Sequence, residues 1–179
     1  MAGAQERVLR RRIGSVGNTK KITRAMELIS ATRVTKAQQR AREARPYATE
    51  ITKVIQDLSA QGTSVDHPLL RQNEDPKVVG VVVLASDRGL AGAYNASVIR
   101  AAEREVQAAR SEGREYRLVC VGKKSSSYFR FRGYTIDAEF EGISDTPVYS
   151  NAREVAGKVA AMFLSEGVER IMLAYTEFV

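Results

Sequence analysis

The sequence is poor in the residues that metal and redox chemistry need, with one cysteine and one histidine. A single cysteine, Cys120, excludes an internal disulfide, and its place in the apolar segment RLVCVG predicts a small buried side chain. His67 precedes a proline between two predicted elements, which favours a loop or capping role over catalysis. No cysteine and histidine have the spacing of a metal site, and we expect neither a catalytic residue nor a cofactor.

Long apolar runs are also missing. The longest, VVGVVVLA and IMLAY, fall far short of the roughly 20 residues that a membrane helix needs. The N-terminus, MAGAQERVLRRRIG, carries arginines with no apolar stretch after them, so it lacks the pattern of a secretory signal. With 44% hydrophobic and 27% charged residues, the composition is typical of a folded soluble protein, which we expect to face the cytoplasm.

Positive charge is concentrated at one end of the chain. The formal net charge is +7, and residues 1–45 hold twelve Lys and Arg against three acidic residues, or +9, so that residues 46–179 sum to −2. Such a segment is expected to attract an acidic partner, which can be nucleic acid, anionic lipid or protein. Because its cations wind around the chain and no aromatic residue precedes Tyr47, a coiled-coil helix is favoured over nucleic-acid binding.

Glycine is absent from residues 18–60, and Pro46 is the only proline there, which predicts a very long helix over residues 1–60. Apolar residues and alanines recur in it with alternating spacings of three and four, the heptad pattern of a coiled coil, and four alanines require a close partner helix. Upstream, Ile22, Met26 and Ile29 keep the spacing but shift its phase. The members of this heptad seam are Val34, Ala37, Ala41, Ala44, Ala48, Ile51, Ile55 and Leu58.

A linker is predicted at 61–76, a segment rich in Gly, Ser, Asp and Pro. After it the spacing of the apolar residues changes. Apolar strands then alternate with helical patterns, which predicts a Rossmann-like α/β domain at 77–179 with a mostly parallel sheet. Strands are expected at 78–85, 116–122, 134–140 and 168–179. Helices are expected from Asn95 or Ser97 to Gly113, at 123–133 and at 151–166. The alternating acids Asp137, Glu139 and Glu141 are interpreted as a solvated strand face.

The segment SDRGLAGAYN, residues 86–95, follows the first strand and has the place of a phosphate-binding loop. A dinucleotide fingerprint needs a third glycine two residues before Gly89 and an acid at the end of the second strand, and the chain has neither. No Walker motif follows the glycines. A tight turn that exposes Asp87 and Arg88 to a partner is therefore favoured over a nucleotide site.

Three segments together resemble one family: KKITRAMELISATRVTKAQQRAREARPYA at 20–48, HPLL at 67–70 and SDRGLAGAYN at 86–95. Their order and spacing are similar to those of the gamma subunit of F-type ATP synthase along the whole chain. The resemblance implies a non-catalytic rotor shaft whose N-terminal helix winds around a C-terminal helix inside a ring of alpha and beta subunits. That C-terminal helix has no counterpart here, so the sequence is expected to be a fragment.

The resemblance also implies partners and contact residues. The α/β domain would meet the epsilon subunit and the c-ring, with contact to the cell membrane only through the complex, on its cytoplasmic face. ATP would be handled by the beta subunits. A basic-helix nucleic-acid-binding protein and a Rossmann-like oxidoreductase remain as alternatives. The predicted partner contacts are Lys20, Lys21, Ile22, Arg24, Met26, Arg33, Asp87, Arg88 and Gly89.

Overall fold

The structure is a computed structural model that describes residues 2–60, 67–70 and 73–177. The chain divides into two compact units, residues 1–65 and 66–179. Within the described ranges, no helix combines the length and the apolar character that crossing a membrane requires.

The first unit is one helix, α1, Ala2–Ala60, which continues through Pro46. Its polar groups are satisfied locally: Arg24 pairs with Glu27 at 2.7 Å, and threonine hydroxyls donate to the carbonyl four residues earlier, as Thr19 does to Ser15 at 3.1 Å. The large apolar side chains of the seam stay exposed, from 43% for Ile51 to 54% for Val34. The long helix is therefore confirmed, and its apolar seam is uncovered.

The second unit is an α/β domain in which all four strands are parallel, as the alternating pattern predicted. The strands lie in the order β3-β2-β1-β4, and a one-turn 3-10 helix at Pro68–Leu70 precedes them in the chain. The strands are β1 (Val78–Leu84), β2 (Glu115–Val121), β3 (Ala138–Phe140) and β4 (Arg170–Ala174). The helices are α2 (Tyr94–Ser111), α3 (Lys123–Phe131) and α4 (Tyr149–Leu164).

Both faces of the sheet are covered by helices. Successive residues of β1 point to opposite faces, so this strand contributes to the core on each side. Val81 and its neighbours on one face pack with α2 and with Phe129 of α3. Val82 on the other face packs with Met162 of α4 and with Val168. The continuous apolar run of β1 thus reflects a three-layer arrangement with a core on each side. The inward stripe predicted for α2 is buried as expected: Val98, Ile99, Ala102, Val106 and Ala109.

The third strand is shorter than predicted, and one of the three acids near it is not solvated. Pairing of β3 with β2 is confined to residues 138–140. The carboxylate of Asp137 accepts the backbone N–H of Leu118 at 2.7 Å and forms an ion pair with Arg117, so a side chain takes a donor that strand pairing would have used. Glu139 pairs with Arg130 at 2.5 Å. The prediction of a solvated carboxylate was therefore wrong for Asp137, whose side chain is 14% exposed, whereas Glu139 is exposed as predicted.

Several element ends also differ from the prediction. Helix α2 begins at Tyr94, and no side chain caps it, so the capping role predicted for Asn95 or Ser97 was wrong. Helix α4 begins two residues before Asn151, whose side chain reaches back to accept the N–H of Val148 at 3.1 Å. Strand β4 ends at Ala174, short of the predicted run to residue 179. Residues 178–179, like 61–66 and 71–72 of the predicted linker, lie outside the described residues.

Candidate functional site

The loop after β1 is fastened by side chains at its two ends. Asn95, in the first turn of α2, accepts the backbone N–H of Ser86 at 2.9 Å and donates to the Ser86 hydroxyl at 2.9 Å. The Ser86 hydroxyl in turn donates to the carbonyl of Arg88 at 2.5 Å. Asn95 therefore closes the loop onto the end of β1, which explains why it is not available as a helix cap.

Asp87 lies at the centre of this edge of the sheet. Its carboxylate accepts the backbone N–H groups of Lys123 at 3.0 Å, Gly142 at 2.9 Å and Ser144 at 2.9 Å, and the Ser144 hydroxyl at 2.7 Å. Partial burial raises the pKa of the carboxyl, but the hydrogen bonds from Ser144, Gly142 and Lys123 outweigh burial and lower it from 3.8 to about 2. Asp87 thus joins three segments as an anion at neutral pH.

This carboxylate lies at the N-terminus of α3, the helix after β2, and a helix N-terminus is a position where an anion such as phosphate can bind. The backbone N–H of Lys123 is bonded to Asp87, and that of Lys124 to the carbonyl of Ser86 at 3.0 Å. At Gly122, where φ is +95°, a Cβ would lie 2.2 Å from the carbonyl oxygen of Ala85. The donors at the N-terminus of α3 and the space at Gly122 are therefore used by the chain itself, which supports a structural turn.

The outer part of the loop points away from these bonds. Arg88 pairs with Asp145 at 3.4 Å, and both side chains are largely exposed. Gly89 is open: a Cβ there would meet only the end of Lys124, at 3.8 Å. Leu90 has a positive φ of 62° and is 95% exposed. Nothing in the sequence pattern marked Leu90, because its exposure follows from the backbone path of the turn.

The predicted contacts on α1 form a separate group on the other compact unit. Ile22 is 61% exposed and Met26 45% exposed, so this apolar group lies open on the helix surface. Within the described ranges, neither Lys20 nor Lys21 forms an ion pair, whereas Arg24 pairs with Glu27. The partner contacts predicted on α1 and on the loop remain predictions.

His67 and Cys120 have the structural roles that the sequence predicted, a capping residue and a buried side chain. The Nδ1 atom of His67 accepts the backbone N–H of Leu69 at 3.2 Å and so caps the 3-10 turn. Cys120 is fully buried, and burial raises the pKa of its thiol to about 12. No group of three or more potential metal-ligating side chains occurs in the part of the chain that the structure describes.

A comparison with known protein families gives the affiliation of this chain. The model of a family described as ATP synthase matches residues 5–179. The chain belongs to the ATP synthase family. The resemblance predicted from three sequence segments is therefore confirmed over nearly the whole chain.

The curated relatives of this ATP synthase family member are gamma chains. The ATP synthase gamma chain of Frankia casuarinae is 46% identical over 183 residues, covering 100% of this chain and 61% of the relative. That of Mycolicibacterium smegmatis is 44% identical over 186 residues, covering 96% of this chain and 60% of the relative. The chain thus spans about three fifths of the length of the curated relatives it matches.

A solved structure has the same fold. It is the central stalk and c-ring of the mitochondrial ATP synthase of Tetrahymena thermophila, matched with a TM-score of 0.65 and 23% identity over 85% of this chain and 63% of that chain. At this identity the match shows the fold, a long helix with a parallel α/β domain.

Proposed function

We propose that this chain is the non-catalytic central-stalk subunit of a proton-translocating F-type ATP synthase, and that it couples rotation to ATP synthesis at the beta subunits. The observation that carries the proposal is the 59-residue helix α1 with its apolar seam uncovered. A helix with exposed apolar residues at heptad spacing needs a partner helix. The relatives are named gamma chains, which supports the central stalk as the place where α1 packs against a partner helix.

The α/β domain supports a role without catalysis. In doubly wound folds a ligand binds beyond the carboxyl ends of the strands. There Asp87 places a carboxylate against the N-terminus of α3, where it would repel a phosphate. The domain is therefore proposed as a rigid base that carries contacts to other subunits.

The proposal assigns residues 1–60, which contain α1, to the shaft inside a ring of alpha and beta subunits. The α/β domain, residues 77–179, follows a linker at 61–76 and would meet the epsilon subunit and the c-ring at the cytoplasmic face of the membrane. Membrane contact would be only through the complex. Proposed contacts with the catalytic ring are Lys20, Lys21, Ile22, Arg24, Met26 and Arg33. Those of the base are Arg88 and Gly89, together with Asp87, whose carboxylate holds the loop in place from inside the chain.

Met26 tests this assignment. A flexible methionine can slide past several surfaces without a fixed fit, and around Met26 lie the cations Lys20, Lys21 and Arg24, which would face acidic loops of the beta subunits. In the assembled complex, Met26→Lys should leave assembly intact and lower the number of protons pumped per ATP hydrolysed, because the added cation holds one rotor angle too firmly. Met26→Leu, which adds no charge, is the matched control and should pump normally.

The measurement is proton uptake into vesicles together with ATP hydrolysis, on complexes whose subunit content has been verified. A complex that falls apart with Met26→Lys would show that Met26 is a packing residue. Pumping equal to that of the parent would show that it does not contact the ring at all. Either result contradicts the proposed contact.

A further inference from the structure

A second basic region lies within the acidic part of the chain. Residues 94–132 hold nine Lys and Arg against four acidic residues, or +5, although residues 46–179 as a whole sum to −2. This stretch contains α2 and α3, which pack on one face of the sheet. Arg100 and Arg104 are exposed on α2 one turn apart, and Phe131 and Arg132 are exposed at the end of α3.

The one acid among these side chains is already engaged. Glu103 is 13% exposed and accepts the hydroxyls of Tyr128 at 2.9 Å and Tyr134 at 3.0 Å, with Arg132 at 3.5 Å. The hydrogen bond to Glu103 raises the pKa of Tyr128, so the hydroxyl stays protonated and keeps donating. These bonds fasten the end of α3 to α2 and fix the position of Arg132.

Two arginines of α2, Arg100 and Arg104, lie close to Glu103 in the chain and are exposed. Neither Arg100 nor Arg104 forms an ion pair within the ranges that the structure describes, although both lie on the same helix as Glu103. We call Arg100, Arg104, Phe131 and Arg132 the α2–α3 surface. Its net charge is positive, and the aromatic rings and acid beneath it hold its backbone in place.

Phe131 is the unusual member of the α2–α3 surface. Its side chain is 88% exposed, whereas Phe129, two residues earlier on the same helix, is fully buried in the core. Phe131 precedes Arg132, which reaches Glu103 of α2, and an exposed aromatic residue and arginines are the types that contribute most to protein interfaces.

We propose that the α2–α3 surface docks an acidic protein segment with an apolar pocket for Phe131. The planar guanidinium group of an arginine can donate two parallel hydrogen bonds to one carboxylate. The positive charge of the α2–α3 surface also complements an acidic segment. One aromatic ring is too little for stable insertion into a lipid surface, so a protein is favoured over a membrane. The inference rests on the proposed function, because the partner is expected to be another subunit of the assembled complex.

Photo-crosslinking tests the surface directly. The amino acid benzoylphenylalanine is incorporated at position 131 of the chain, the complex is purified in detergent and irradiated, and adducts are mapped by mass spectrometry. The matched control is the same amino acid at Tyr149, which is 82% exposed at the start of α4 on the other side of the sheet. We expect an adduct from position 131 to a segment of another subunit rich in Asp and Glu, and no such adduct from position 149.

Adducts to lipid or detergent alone, to a basic segment, or to no protein would overturn the docking proposal. The same samples separate this result from the proposed function. Co-purification of the catalytic ring with the chain reports on the stalk assignment, whatever position 131 contacts. A chain that never co-purifies with the ring would contradict the proposed function.

Charge reversal supplies an independent measurement. For the cross-linked subunit, purified and titrated against the chain, Arg104→Glu and Phe131→Ser should each weaken binding about tenfold, with a smaller effect for Arg104→Gln. Arg153→Glu, an exposed arginine of α4, is the control and should bind like the parent. The binding should also weaken as salt rises. Equal affinities for Arg104→Glu and Arg153→Glu would refute the proposal.

Discussion

Replacing Asp87 by asparagine should destabilise the α/β domain, and the loss should depend on pH. The substitution keeps the shape of the side chain but removes the anion that four donors of Lys123, Gly142 and Ser144 surround. One amide NH₂ group would also face these donors, where only an acceptor fits. The donors would then lose a charged acceptor at the place where three segments meet.

The magnitude follows from the pKa of Asp87, which lies at about 2 in the folded chain against the ordinary value of 3.8. At 1.36 kcal/mol for each pKa unit, this difference gives an upper value of about 2.4 kcal/mol. The site is only partly buried, and solvent screening reduces the expected loss to about 1–2 kcal/mol.

The pH dependence has a definite sign. Because the folded-state pKa lies below the unfolded-state value, the stabilisation is complete above pH 4–5 and is lost as the pH falls toward 2. The difference between parent and Asp87→Asn should therefore be largest at pH 7 and fall to about half near pH 3. Asp145→Asn, at an exposed acid of the neighbouring loop, should cost less than about 0.5 kcal/mol at either pH.

Urea unfolding followed by tyrosine fluorescence measures this difference. The chain has no tryptophan, and six of its seven tyrosines lie between residues 94 and 175, so the signal reports mainly on the α/β domain. A free energy of unfolding that differs by the same amount at pH 7 and pH 3 would refute the electrostatic reasoning. An equal loss for Asp145→Asn would refute the special role of Asp87.

Gly122→Ala should lower the free energy of unfolding in urea by about 2–4 kcal/mol, because its methyl group would lie 2.2 Å from a carbonyl oxygen and φ is +95°. Gly133→Ala, where φ is +75° and the space is open, should lower it by about 1 kcal/mol. Similar losses at both glycines would exclude the steric cause. Ala44→Leu should overpack the seam and weaken assembly by about 1–3 kcal/mol, while Arg42→Leu should assemble normally; equal tolerance in an assembly assay would exclude the coiled-coil assignment. Calorimetry should detect no micromolar binding of ATP or NAD, and such binding, if abolished by Gly89→Val, would contradict the structural interpretation of the loop.

Features with a local periodic cause could be predicted from the sequence. The run of residues without glycine predicted α1, and the change of period after the linker predicted a parallel α/β sheet. The 3.6-residue repeat likewise identified the buried side of α2. The apolar neighbours of Cys120 predicted that its side chain is buried. In each of these cases the information lies within a few residues of the position concerned.

Features that depend on distant partners could not be read from the same patterns. The donors to Asp87 lie 36 to 57 residues further along the chain, and Arg117 meets Asp137 across 20 residues. Phe129 and Phe131 lie on opposite sides of α3, so the helical repeat predicts that only one of them is buried, and packing against the sheet decides that it is Phe129.

The sequence alone thus determined which segments are helices and strands, since short-range repeats govern those choices. Only the tertiary structure decided which charged and aromatic side chains are used internally and which remain for a partner. The physical reason is that hydrogen bonds and burial depend on distances in space, which folding sets between residues far apart in the chain.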